Sequence, residues 1–166
     1  MLRGTMPGPA LRTRSLTGDD FAAARAVADD WFGRPVGLTL HRLFIEQLGP
    51  YGVRIDPAGG PDRLLGVLLG LPSALEPDLA YVHMHMVDPA MRGRGIGALL
   101  YRTFGDAMAA RGTRIRALAA PSNTVSVRFH EALGFTGRLS PGHVGPGQDR
   151  IVFERPLPLD APLTTG

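Results

Sequence analysis

Ala80-Tyr81-Val82-His83-Met84-His85-Met86-Val87-Asp88-Pro89-Ala90-Met91-Arg92-Gly93-Arg94-Gly95-Ile96-Gly97-Ala98 is the stretch whose reading decides the fold. Ala80 to Val87 reads as a strand ended by Asp88-Pro89, and a helix is expected from about Gly95 to Ala110, stopped by Gly112. The join formally matches a dinucleotide fingerprint as Gly93-x-Gly95-x-x-Ala98. That fingerprint sets its glycines at the strand end, however, and here Asp88 to Arg92 intervene. The acidic residue due about 20 positions later is also missing, because Thr113-Arg114-Ile115-Arg116 stands there. A plain flexible connector is a second alternative. An anion cradle accounts for more of the pattern. Gly93, Gly95 and Gly97 let the backbone approach a ligand without a Cβ. Amides at a helix start point at phosphate, with the helix dipole favouring negative charge. Arg92 and Arg94 add fork-shaped donors.

Working upstream, Leu64 to Leu71 is a near-continuous apolar run, expected as a strand buried on both faces, and Tyr51 to Ile55 is a strand before the Asp56-to-Gly60 turn. A helix from about Leu38 to Leu48 carries Leu40, Leu43, Phe44 and Leu48, and Gly49-Pro50 stops it. A first helix from about Gly18 to Phe32 places Phe21, Ala24, Val27, Ala28 and Trp31 at helical spacing, with Thr17 and Asp20 resembling a capping box. Leu11 to Leu16 is a short strand. Downstream come a strand from Thr113 to Ala119, a helix from Ser122 to Leu133, and strands over 135–139 and 150–155 around a Gly/Pro-rich turn. This order predicts an α/β (α+β) fold in one domain over residues 11–156, with 1–10 a disordered lead-in and 157–166 a Pro-rich tail.

The chain has 166 residues and no cysteine, which excludes disulfides, thiolate metal sites and a Cys nucleophile. It has no lysine either, so all 18 basic residues are Arg, excluding the P-loop and any Lys Schiff base. The net charge of +3 and the scattered arginines speak against nucleic acid as a partner. No apolar run reaches the roughly 20 residues that cross a bilayer, and no signal-peptide core follows Arg3, so no membrane partner and a cytoplasmic location are expected.

Arg92, Gly95 and Gly97 fit Gln/Arg-x-x-Gly-x-Gly/Ala, and Asn123-Thr124-Val125-Ser126-Val127-Arg128-Phe129-His130-Glu131-Ala132-Leu133-Gly134-Phe135 follows at a compatible spacing. On both segments the chain resembles the GNAT superfamily of acyl-CoA-dependent N-acyltransferases. The resemblance implies a mixed, mostly antiparallel sheet splayed between two central strands and flanked by helices. It implies acetyl-CoA as co-substrate, with the CoA pyrophosphate on the amides of Arg92, Gly93, Arg94, Gly95, Ile96, Gly97 and Ala98. A bulge in the preceding strand would free an oxyanion donor near Met86 or Val87, and pantetheine would run along that strand's edge. Asn123, Ser126 and Phe129 would touch the cofactor or fix the helix start; a plain N-cap at Ser122 or Asn123 fits equally.

Amine attack on a thioester needs a neutral amine, a stabilised oxyanion and a proton for the thiolate. The family most often sets a Tyr where this chain has His130. As imidazolium, with a pKa of about 6.5 against about 8.5 for a thiol, His130 could protonate the sulfur; neutral, it would only hydrogen-bond it or pack at a helix end. Tyr81, His83 and His85 share a face until a bulge intervenes, and His83 is the base candidate; a metal site is disfavoured because no third ligand is evident. The expected reaction is direct transfer of acetyl from acetyl-CoA to a small-molecule or peptide amine in a ternary complex, because no thiol can carry the group. A CoA-binding module without catalysis is the alternative. Homodimerisation is an expectation of the resemblance alone, and the acceptor is not readable.

Overall fold

The computed structural model describes residues 10–59 and 62–159, so most of the expected lead-in and tail lies outside the described residues. Seven strands form one sheet in the order β1-β2-β3-β4-β5-β7-β6. They are β1 (Leu11–Arg14), β2 (Val53–Pro57), β3 (Gly66–Pro72), β4 (Leu79–Val87), β5 (Arg114–Ala119), β6 (Thr136–Ser140) and β7 (Arg150–Pro156). Every pairing is antiparallel except that of β4 with β5. The helices are α1 (Asp20–Phe32), α2 (Arg42–Leu48), α3 (Ile96–Ala109) and α4 (Thr124–Ala132), with a short 3-10 helix at Pro89–Met91.

The strand alternation of β3 explains the layering. Val67 and Leu69 turn to a cluster with Ala24, Ala28 and Ile45 of α1 and α2, whereas Leu68 joins Leu100, Tyr101 and Phe104 of α3 on the other face. Gly66 and Gly70 lie on the α3 face, where a Cβ would come within 3.0 Å of Ile96 and 2.5 Å of Phe104. The missing side chains let α3 sit close on the sheet. Leu157 and Leu159 close over Gly105 of α3, so the packed core continues past the boundary expected at 156.

Two local expectations change. Thr17 does not cap α1; the helix begins at Asp20, whose carboxylate accepts from the Thr17 N–H (2.8 Å) and also binds Arg14 and buried Arg54. The second helix starts at Arg42 rather than Leu38, because Asp29 accepts from the Val36 and Gly37 amides and holds that segment in turns. His41 Nδ1 then caps the Leu43 N–H. This start turns Ile45 inward and leaves Leu43 and Phe44 exposed, against the apolar face expected.

Candidate functional site

β4 and β5 pair only over Leu79↔Arg114, Ala80↔Ile115 and Tyr81↔Arg116, and then part. Arg114 and Arg116, ion-paired with Glu76, Asp78 and Glu154, brace the joined end. Beyond Tyr81 the edge of β4 has no strand partner on that side among the described residues, which is the splay expected. On the other side β4 pairs with β3, and the register skips between Leu69↔Met84 and Gly70↔Val82. His83 is therefore the extra residue of a bulge.

The bulge separates the two histidines. His83 is exposed, meets Phe44 of α2 edge-on at 5.5 Å, and partial desolvation there lowers its pKa. Met84 and Met86 also face the α1/α2 cluster, whereas His85 has crossed to the α3/α4 face, stacked on Phe129 at 5.0 Å. The pair cannot share a metal ion as neighbours on one face could. The bulge also lies earlier than the expected donor at Met86 or Val87. The Asp88 N–H donates to Leu65 on the β3 side (2.9 Å), so alternation turns the Met86 amide the same way. The amides of His85 and Val87 then face the open edge. Of the two expected donor positions, this places the Val87 amide on the open edge and the Met86 amide on the β3 side, with the Met86 side chain buried.

At the end of this edge Asp88 caps the 3-10 helix through the Ala90 N–H (2.9 Å). Gly93 and Gly95 follow with φ of 72° and 78°, left-handed values that favour glycine. The Leu99 N–H is the first of α3 to reach a helical carbonyl, that of Gly95 (2.9 Å). Among the described residues, the amides of Gly93, Arg94, Gly95, Ile96, Gly97 and Ala98 have no backbone acceptor. Arg94 is exposed beside them, whereas the Arg92 guanidinium reaches across to the Trp31 carbonyl of α1. Six amides, a helix N-terminus and an arginine form a donor set suited to a pyrophosphate. Ile96 contributes only its amide, since its side chain is buried. A Cβ on Gly97 would stand 2.9 Å from the Phe129 ring, so this glycine lets α4 pack against the cradle.

His130 departs from its expected setting. It is 1% exposed and stacks on Phe153 at 4.6 Å, and burial lowers its pKa to about 4 against the opposing Ser126 hydrogen bond. Burial therefore favours the neutral ring and works against the imidazolium alternative. Its Nδ1 lies 2.7 Å from the Ser126 carbonyl and its Nε2 2.8 Å from the Tyr101 hydroxyl. Asn123 is the N-cap of α4, accepting from the Ser126 N–H (3.1 Å). Tyr101, absent from the sequence-based candidates, is fully buried between His130 and His85, whose Nδ1 lies 3.3 Å from its hydroxyl. One signal was present: a tyrosine on the apolar face of a helix needs a partner for its hydroxyl.

The model of the Acetyltransferase (GNAT) family matches residues 18–135. A phosphinothricin N-acetyltransferase of Streptomyces coelicolor is 34% identical over 116 residues, 66% of this chain and 68% of that protein. Mycothiol acetyltransferase of Mycobacterium marinum is 31% identical over 116 residues, 65% of this chain but only 34% of the longer relative. Among solved structures, yncA of Salmonella typhimurium, determined with its cofactor acetyl-CoA, superposes with a TM-score of 0.66 at 20% identity, covering 95% of this chain and 98% of that one.

Proposed function

The chain belongs to the GNAT acetyltransferase family, and from that premise we propose that it transfers acetyl from acetyl-CoA directly to the amine of a small molecule or peptide. The observation that carries this reading is the continuity of the open β4 edge with six amides at the start of α3 that have no backbone acceptor among the described residues. The edge suits an extended amide-bearing chain and the cradle suits a pyrophosphate. The amides from Gly93 to Ala98 and Arg94 would hold the pyrophosphate, and the edge amides of His85 and Val87 would hold pantetheine and the thioester oxygen. Acetyl-CoA supplies the activated acetyl group as a thioester. With no cysteine in the chain, the acceptor amine attacks that thioester itself.

His83 stands on the α1/α2 face beside exposed Phe44, where an acceptor amine would meet a base already biased to its neutral form. The sulfur would lie toward α4. His130 supports that side as a neutral, fixed partner of Tyr101 rather than as an imidazolium. Isothermal titration with acetyl-CoA, joined to a free-thiol assay over a panel of amines, tests the reading. Binding with acceptor-dependent CoA release is expected; binding without release identifies a CoA-binding module instead. His83→Ala should erase the acidic limb of the pH–rate profile, and a retained limb removes His83 as the base.

A further inference from the structure

The Ser126 carbonyl dictates where the protons sit on three aromatic side chains. A carbonyl only accepts, so His130 Nδ1, 2.7 Å away, carries the hydrogen and Nε2 is bare. The Tyr101 hydroxyl, 2.8 Å from that Nε2, must donate to it. Its oxygen then offers only lone pairs to His85 Nδ1 at 3.3 Å, so His85 holds its hydrogen on Nδ1 and keeps Nε2 as an acceptor. Tyr101 and His130 are fully enclosed, and His85 is the half-buried end of the chain. It lies on β4 past the point where β5 departs, stacked on the Phe129 ring that fills the place beside Gly97. Its ring is faced by Tyr101 from α3, by Phe129 and His130 from α4, and by its register partner Leu68 from β3, so no carboxylate or guanidinium competes for it among the described residues.

We propose that His85 is a catalytic residue of the acetyl transfer, shuttling one proton from the attacking amine to the departing sulfur, with Tyr101 and His130 as the positioning residues that hold its Nε2 bare. This proposal rests on the acetyl-transfer reading above. As the C–N bond forms and the thioester C–S bond breaks, Nε2 takes the proton shed by the amine nitrogen. It returns that proton to the sulfur, giving CoA thiol and amide with His85 neutral again. The transient imidazolium is held by its Nδ1–H on the Tyr101 oxygen. Nitrogen and sulfur are attached to the same carbon in the course of transfer, so one ring can serve both. His83, on the opposite face, serves a separate step, the initial neutralisation of the amine.

The test combines kinetics with 15N NMR of the imidazoles in the wild-type protein. His85 should be the Nδ1–H tautomer, the minority form of free histidine, and an Nε2–H tautomer overturns the proposal. His85→Phe should lower kcat by about 100-fold or more, with the Kd for acetyl-CoA changed less than about threefold. Tyr101→Phe, which keeps the ring contacts, should switch the His85 tautomer and lower kcat per folded molecule about tenfold, with some loss of stability from the unpartnered His130 Nε2. Unchanged kcat in His85→Phe overturns the shuttle while leaving acetyl transfer intact. A wild type that binds no acetyl-CoA, or releases no CoA with any amine, overturns the acetyl-transfer reading and the shuttle with it.

Discussion

Acidification between pH 8 and pH 5 should destabilise the protein through His130, and the size of the effect follows from its surroundings. The unfolded chain exposes an ordinary imidazole with a pKa of about 6.5. In the fold, burial on Phe153 holds the group at about 4. Below pH 6.5 the unfolded state therefore binds a proton that the native state refuses. The slope of unfolding free energy against pH is positive there, and stability falls as pH falls until the folded pKa is reached. Integrated from pH 8 to pH 5, the linkage amounts to about 2 kcal/mol for this one residue. His85, held near 3 by burial and by His130, acts in the same direction. Asp20 takes no part in this window, since its arginine partners hold its carboxyl below the usual carboxylate range and its contribution is lost only in stronger acid. Urea unfolding of wild type and His130→Phe at pH 8, 7, 6 and 5 isolates the effect. The variant loses two hydrogen bonds and starts less stable, but its pH dependence should be shallower by about 2 kcal/mol across the range. Parallel curves for the two proteins would refute the argument that His130 is buried neutral.

Two further outcomes bear on the cradle and the core. Gly97→Ala drives a methyl into the Phe129 ring, so acetyl-CoA binding should weaken and stability should drop by about 1–3 kcal/mol, measured by titration and urea midpoint. Arg54→Ala leaves Asp20 and Asp56 as buried carboxylates without their shared guanidinium, so chemical unfolding should show a loss of about 3–5 kcal/mol, while kcat per folded molecule stays within twofold of the wild type, about 0.4 kcal/mol.

Periodicity carried the element order because each long segment agrees with itself. The apolar positions of α3 and the double-sided burial of β3 need no distant partner to be recognised. It failed for α2, where the start depends on Asp29, a residue of another helix, seizing the Val36 and Gly37 amides. The cradle was legible from Arg92 to Gly97 because glycines and a helix start express their chemistry locally, even though the Arg92 side chain turns away to Trp31.

The candidate catalytic face was legible only in its residue types. The sequence by itself determined the fold class, the absence of any thiol nucleophile and the glycine-rich loop that opens α3, all of them local or compositional properties. Tertiary structure alone decided the settings of the histidines. One extra residue at His83 inverts the strand parity and sends His85 to the face opposite its sequence neighbour. Packing of α3 on α4 then buries His130 against Phe153 and sets Tyr101 between the two imidazoles. Protonation follows from burial and from a single carbonyl, and neither exists until the chain has folded.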